Sequence, residues 1–185
     1  IINADRNFTY EDNFMKVFFP DGALADTSYL DFSSKTSHFF IGNVSEPLVW
    51  DAHISYKYPK NSILHLDKAY LQGKGKSYIF SEKNDSIFRV QVDRLGDFKI
   101  LKDEVPPFIK LIRKSPAKLV FQISDIGSGI KSFKGYLNGK FVLMEYEYKN
   151  SLLWTDPLFT ETFIGDFELI VEDKVGNLKH YKLSL

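Results

Sequence analysis

The chain has 185 residues, of which 44% are hydrophobic and 16% aromatic, enough for one substantial core or two small ones. Its 24 basic residues balance 24 acidic ones, so net charge provides no attraction to nucleic acid or to an anionic membrane. The absence of cysteine excludes disulfides, thiolate catalysis and thiolate metal ligands. No apolar run reaches the roughly 20 residues that a membrane-spanning helix needs.

The first residues, "IINADRNF", include neither an initiator methionine nor the basic and apolar regions of a signal peptide. We therefore expect the chain to begin within a longer protein or after processing.

Short runs rich in Phe, Tyr, Ile, Val and Leu recur along the first half, and no apolar pattern of period 3.6 persists for three helical turns. Turn-rich pieces such as "PDGALAD", "QGKGK" and "SEKND" separate these runs. The pattern predicts an all-β fold, an antiparallel sandwich. The predicted strands of this half are 14–19, 29–32, 38–41, 48–58, 77–80, 87–92 and 98–101.

Consecutive prolines in "LKDEVPPFIKLI" interrupt the pattern. Pro106 and Pro107 fix two φ angles, remove two backbone donors and push Val105 toward an extended conformation. This segment cannot lie inside a sheet but can stiffen a short linker. We predict a linker over 103–107 that joins domain 1–102 to domain 108–185.

Seven further strands are predicted after the prolines, at 108–112, 118–124, 129–137, 140–148, 152–154, 168–172 and 179–183. About seven strands in about 80 residues is typical of a small immunoglobulin-like sandwich. The whole chain is thus predicted to be two tandem antiparallel β-sandwich (immunoglobulin-like) domains.

The segment "YLNGKFVLMEYEY" predicts a hairpin, because Asn138-Gly139 supplies the two positive φ angles of a type I′ turn. Alternation after the turn predicts two faces. The predicted core face carries Val142, Met144, Tyr146 and Tyr148, and the opposite face carries Phe141, Leu143, Glu145 and Glu147.

The glycine-rich loop at Asp125 resembles a calcium or phosphate site at first sight. An EF-hand loop needs oxygen ligands at its third and fifth positions, which are Gly127 and Gly129 here. A phosphate-binding P-loop needs a helix after the glycines, whereas the following "IKSFKGYL" favours a strand. We predict a sheet corner, with the Asp125 carboxylate accepting hydrogen bonds from nearby amides.

A second corner of the same kind is predicted in "IVEDKVGNLKHY", where Asp173 precedes Gly176 and Asn177. Both aspartates stand where a strand leaves the core. A cation held at the sheet end by Asp125 and Asp173 is the alternative to two independent turns.

No catalytic set or metal site is predicted. The four histidines, His38, His53, His65 and His180, show neither H-x-H nor H-E-x-x-H spacing. No G-x-S-x-G nucleophile elbow occurs, and Glu145 and Glu147 are interpreted as solvated residues of one strand face. We expect no enzyme activity and no cofactor.

Aromatic residues offer the best indication of binding. Trp50, Tyr56 and Tyr58 lie in "LVWDAHISYKYP", and their even positions predict one shared face of an extended strand. Such rings can stack on the apolar faces of sugars. The alternative interpretation is that they fill the core, where aromatic side chains contribute large buried areas.

The second half contains, in order, D-x-x-S-G-I, L-N-G-K-F, E-Y-E-x-K and D-x-x-G-N. This series resembles the C-terminal immunoglobulin-like domain of Gram-negative cell-envelope zinc endopeptidases of the lysostaphin type. In the first half, "VFFPDGALAD" and "FFIGNVSEPLVWDAHIS" resemble the β-rich segment that follows the peptidase domain in those proteins.

The resemblance implies a non-catalytic accessory region, because no position carries the family's H-x-x-x-D and H-x-H zinc ligands. It implies a periplasmic or cell-envelope location and a covalently linked peptidase domain upstream. The implied partners are peptidoglycan or another envelope protein. The alternative is a stand-alone carbohydrate-binding or adhesin-like sandwich.

Overall fold

The computed structural model describes residues 1–42, 45–57, 66–84, 87–156 and 164–185. Over these residues the chain is nearly all β, and every pairing between strands is antiparallel, which confirms the predicted all-β sandwich class. The chain divides into two compact units, Ile1–Asp103 and Glu104–Leu185. Within the described ranges, no helix has the length and apolar character needed to cross a membrane.

Among its described residues, the first unit contains ten strands and one short 3₁₀ turn, η1 (Leu66–Lys68). The strands are β1 (Phe8–Glu11), β2 (Met15–Phe19), β3 (Phe32–Lys35), β4 (His38–Ile41), β5 (Pro47–Lys57), β6 (Ala69–Gly73), β7 (Lys76–Tyr78), β8 (Glu82–Lys83), β9 (Ile87–Arg94) and β10 (Gly96–Lys102).

These strands form two five-stranded sheets, β1-β2-β5-β9-β8 and β3-β4-β10-β6-β7. Strand β9 illustrates why they form, since Phe88, Val90 and Val92 are buried while the residues between them are not. The inward side chains of both sheets belong to one core. Phe39 of β4 stacks on Tyr56 of β5 with ring centroids 5.9 Å apart, so the two sheets pack face to face.

Two carboxylates tie the sheets of the first unit together at opposite edges. At one edge, Asp12 accepts a 2.6 Å hydrogen bond from the Ser34 hydroxyl of β3. At the other edge, Asp93 of β9 accepts a 2.7 Å hydrogen bond from the Tyr78 hydroxyl of β7 and pairs with Lys76 at 2.6 Å. The first bond joins the β1–β2 turn to β3 and the second joins β9 to β7, so each links the two sheets and opposes their separation.

In the second unit the structure describes eight strands outside 157–163: β11 (Phe108–Ser115), β12 (Lys118–Ser124), β13 (Ile130–Leu137), β14 (Lys140–Val142), β15 (Met144–Glu147), β16 (Leu152–Thr155), β17 (Asp166–Asp173) and β18 (Leu178–Ser184). They form two four-stranded sheets, β11-β12-β16-β15 and β14-β13-β17-β18. Phe121 of β12 stacks on Phe167 of β17 at 5.7 Å, a contact between the sheets. Residues 103–107 lie outside the strands.

The single strand predicted over 140–148 is two strands of different sheets. The chain leaves β14 at Val142 and enters β15 at Met144, and both side chains are buried while Leu143 between them is 56% exposed. The predicted core face is therefore correct at these two positions. It is wrong at Tyr148, which is 82% exposed, because β15 ends at Glu147 and Tyr148 begins a turn closed by Ser151.

A second difference concerns the strand predicted over 29–32. Tyr29 is 79% exposed and follows Ser28, whose backbone pairs with Ile2 in an isolated bridge. The short turn after Lys35 sets the register Lys35↔His38, so the strand that pairs with β4 runs from Phe32 to Lys35. The predicted strands do not include β1, β6 and β8, which have four, five and two residues.

We predict that Tyr78→Phe lowers the free energy of unfolding by about 1 kcal/mol, because it removes a hydrogen bond to a carboxylate and keeps the ring. Burial and the hydrogen bond to Asp93 raise the pKa of Tyr78, so its hydroxyl remains a donor at neutral pH. Urea unfolding measures the change. Tyr29→Phe, at an exposed position, is the matched control and should leave stability unchanged. Equal stability of both variants would contradict the role of Tyr78.

The Asp12 turn should make the first unit sensitive to acid. Burial alone would raise the pKa of Asp12, but hydrogen bonds from Ser34, Met15 N–H and Phe14 N–H outweigh it and lower the pKa. The unfolded chain then binds this proton more readily, so the stabilisation is complete above the unfolded pKa of about 4 and is lost as pH falls through the lower folded value.

Asp12→Asn should therefore flatten the fall in stability below about pH 4, measured by urea unfolding over a pH series. Ser34→Ala removes one of the donors and should lose part of the same dependence. Parallel pH curves for Asp12→Asn and the unmodified protein would show that this carboxylate does not set the acid response.

Candidate functional site

Trp50 is the only tryptophan of the first unit, and a local irregularity of β5 places it on the surface. From Pro47 to Ala52 strand β5 advances five residues, while its partner β9 advances two, from Arg94 to Val92. The difference is odd, so the alternation of faces inverts along this stretch. Trp50 is 62% exposed although Ala52, two positions further on, is buried.

Trp50 lines a surface groove of about 520 Å³. Its other lining residues are Pro20, Asp21, Val49, Asp51 and His53. The groove thus combines an indole and two apolar side chains with two carboxylates and an imidazole. An exposed flat ring beside hydrogen-bonding groups suits a ligand that has both an apolar face and polar edges.

The turn at Pro20–Ala23 holds the indole in place. Gly22 has φ of +74°, which favours glycine, and a Cβ at this position would lie at van der Waals distance, 3.4 Å, from Trp50 Nε1, so the turn lies beside the ring edge. Gly22 N–H donates to Ala4 O at 2.8 Å, and Val49 N–H donates to Ala23 O at 2.8 Å. These bonds fix both walls of the groove before any ligand arrives.

Tyr56 and Trp50 do not share a face. Tyr56 is completely buried and stacks on Phe39, so it offers no surface to a ligand and the predicted shared face is wrong for this pair. The reason is the inverted alternation between Pro47 and Ala52. Tyr58, the third predicted aromatic, lies outside the described residues.

The loop at Asp125 is a hydrogen-bonded corner. One Asp125 carboxylate oxygen, Oδ2, accepts hydrogen bonds from Gly127 N–H at 3.1 Å and Gly129 N–H at 2.7 Å. Gly129 has φ of +91°, which favours glycine at this position. The geometry is that of the turn expected from the sequence.

Asp173 forms a second corner of the same kind. Its Oδ1 accepts hydrogen bonds from Val175 N–H at 3.0 Å and Asn177 N–H at 2.8 Å, and its Oδ2 accepts one from the Asn177 side chain at 2.6 Å. Carboxylate oxygens of Asp125 and Asp173 lie within 4.8 Å of each other. The fold thus brings the two aspartates together, and backbone amides donate to Oδ2 of Asp125 and to Oδ1 of Asp173.

A groove of about 830 Å³ in the second unit crosses the outer face of β13, β17 and β18 near the Asn138-Gly139 turn. Asn138 and Gly139 have φ of +49° and +79°, the signs that a type I′ turn requires. The polar side chains here form ion pairs with one another, since Glu168 pairs with His180 at 3.0 Å and with Lys182 at 3.8 Å. A ligand would have to displace those contacts.

The remaining polar candidates have local structural partners. Glu145 accepts a 2.7 Å hydrogen bond from the Trp154 indole, and Glu147 accepts hydrogen bonds from Lys149 N–H and Asn150 N–H at 2.9 Å. His38 pairs with Asp97 at 3.3 Å. In the part of the chain that the structure describes, no histidine belongs to a group of three metal-ligating side chains. His65 lies outside that part.

Sequence reasoning missed the neighbours of Trp50. Asp51 and His53 follow it along β5, but Pro20 and Asp21 lie about thirty positions earlier. They belong to the turn-rich piece "PDGALAD", and no local pattern relates this turn to Trp50. The contact between Gly22 and the indole of Trp50 is a tertiary contact, and no periodic pattern in the sequence predicts it.

Comparisons with protein-family models, with curated proteins and with solved structures found no match for this chain.

We predict that Asp125→Ala lowers the free energy of unfolding by about 1 kcal/mol or more, because the N–H groups of Gly127 and Gly129 lose their acceptor. Thermal or urea unfolding with and without calcium measures the effect. Asp97→Ala, which removes an exposed carboxylate, is the control. The loss should be the same in both buffers. A large calcium-dependent rise in melting temperature that Asp125→Ala abolishes would instead establish a cation site.

Proposed function

We propose that this chain is a non-catalytic region that binds glycan of the bacterial cell wall and positions a covalently linked peptidoglycan endopeptidase. The observation that carries the binding function is the Trp50 groove. A tryptophan that is 62% exposed, supported from behind by the Gly22 turn and flanked by carboxylates, contributes little to the core but offers a rigid stacking surface.

The chemistry of a polysaccharide fits this groove. Pyranose rings have apolar C–H faces that stack on an indole, and their hydroxyl groups donate hydrogen bonds to carboxylates such as Asp21 and Asp51. The groove is shallow and open, which suits one or two sugar units of a long chain. Weak contact per unit is sufficient for a region that keeps an enzyme near an extended polymer.

The cell-envelope context rests on the motif series of the second half, with its resemblance to the immunoglobulin-like region of lysostaphin-type endopeptidases. In this proposal the peptidase domain lies upstream in the same polypeptide, the chain itself carries out no chemistry, and the protein acts in the periplasm or at the exposed cell envelope. An H-x-x-x-D followed by H-x-H upstream in the reading frame would support this context.

A stand-alone carbohydrate-binding or adhesin-like protein is the second candidate, and the same groove favours it. Both proposals assign glycan binding to Trp50, and they differ in whether a peptidase domain is covalently linked to the chain. A reading frame without the zinc motif would favour the stand-alone protein.

Trp50→Ala should abolish or strongly reduce co-sedimentation of the purified chain with insoluble peptidoglycan, because the stacking surface is lost. Loss of one such contact corresponds to about 1–3 kcal/mol, roughly a five- to hundredfold weaker affinity. The unfolding midpoint should stay close to that of the unmodified chain, since the ring is largely exposed.

Phe141→Ala is the matched control, because Phe141 is an aromatic of similar exposure, 60%, in the second unit. It should retain binding. If Phe141→Ala loses binding and Trp50→Ala retains it, the binding surface is in the second unit. If the unmodified chain does not sediment with peptidoglycan at any salt concentration, wall binding is excluded.

A further inference from the structure

Both residues of the Trp50 groove that carry a full charge at neutral pH are acidic. Asp21 lies on the Pro20–Ala23 turn and Asp51 follows Trp50 on β5, so they flank the indole from two separate segments. Asp21 N–H donates a 2.8 Å hydrogen bond to the Asn7 side chain, which holds its backbone in place. Among the residues that the structure describes, neither carboxylate takes part in an ion pair.

Three basic side chains of the same sheet pair with glutamates. Lys16 and Lys57 pair with Glu11, and Arg89 pairs with Glu82. Glu11 and Glu82 thus offset part of this positive charge. Arg94, which lies opposite Pro47 in the ladder, is not a lining residue of the groove. Asp21 and Asp51 line the groove and no lysine or arginine does, so the charge nearest the indole is negative.

This charge pattern discriminates between sugars of the same shape. A free ammonium group on a sugar stacked against Trp50 would donate hydrogen bonds to the carboxylates and would also be attracted to the indole face. An acetamido group at that position is neutral and keeps only hydrogen bonding. A carboxylate or phosphate substituent would meet charge of the same sign, which opposes binding.

We infer that the Trp50 groove selects amino sugars with a free ammonium group, as in N-deacetylated glucosamine chains, over N-acetylated and acidic sugars. This inference rests on the proposed glycan-binding function and specifies its ligand. The juxtaposition of Trp50 with Asp21 and Asp51 carries it. Wall polymer with deacetylated glucosamine would then be the preferred target of the chain.

A charge series of β-linked hexasaccharides tests the selectivity by isothermal titration calorimetry. The probes are glucosamine, N-acetylglucosamine and glucuronic acid oligomers, at a pH where the amine is protonated. The glucosamine oligomer should bind about tenfold more tightly than the acetylated one, and the acidic oligomer should bind weakest. Added salt should narrow the difference between the probes.

Matched variants assign the preference to the groove. Asp21→Asn combined with Asp51→Asn should bring the glucosamine and N-acetylglucosamine affinities to within about threefold of each other, because shape is kept and charge is lost. Asp5→Asn combined with Asp31→Asn removes the same charge from exposed sites elsewhere and should keep the preference. Trp50→Ala should weaken binding of every probe.

The outcomes separate the inference from the function. If the three probes bind alike and all depend on Trp50, the charge selectivity is wrong and glycan binding stands. If the preference survives Asp21→Asn with Asp51→Asn, or if Trp50→Ala binds the glucosamine oligomer as tightly as the unmodified chain does, the attraction is a general one to a polycation and the inference is overturned. If no probe binds, the proposed glycan binding by this groove fails.

Discussion

Both units depend on one constraint, which is that two antiparallel sheets bury alternate side chains against each other. In the first unit Phe39 meets Tyr56 across the gap, and in the second Phe121 meets Phe167. The buried faces exclude water, while each outer face is left to polar side chains and to whatever the strand irregularities expose. Ligand chemistry in such a protein must therefore arise at rims, turns and bulges.

The rims are closed by carboxylates rather than by further strands. Asp12 and Asp93 accept hydrogen bonds across the sandwich edges of the first unit, and Asp125 and Asp173 hold two corners of the second. Asp12, Asp125 and Asp173 accept hydrogen bonds from amides of their own turns, whereas Asp93 accepts from side chains of β7. The acidic residues that most resemble a catalytic or metal-binding set thus stabilise turns and sheet edges. By contrast, Asp21 and Asp51 of the Trp50 groove take part in none of the ion pairs among the described residues.

The bulge of β5 determines whether Trp50 lies on the surface or in the core. Without the odd number of inserted residues, Trp50 would have the same orientation as Ala52 and Ile54 and would enter the core. With it, the indole lies on the surface and rests on Gly22. A backbone irregularity of a few residues therefore creates the groove on which the proposed glycan binding depends.

The amino-acid sequence by itself determined the all-β class, most strand positions and the turn at Asn138-Gly139, because alternation and turn residues are local signals. It also determined the corners at Asp125 and Asp173, whose hydrogen bonds join residues two to four positions apart. Only the tertiary structure decided that Tyr56 is buried and Trp50 is exposed, and that Asp21 lies beside the indole. Those outcomes depend on the register between β5 and β9 and on a turn about thirty residues away, and neither is encoded in a local pattern.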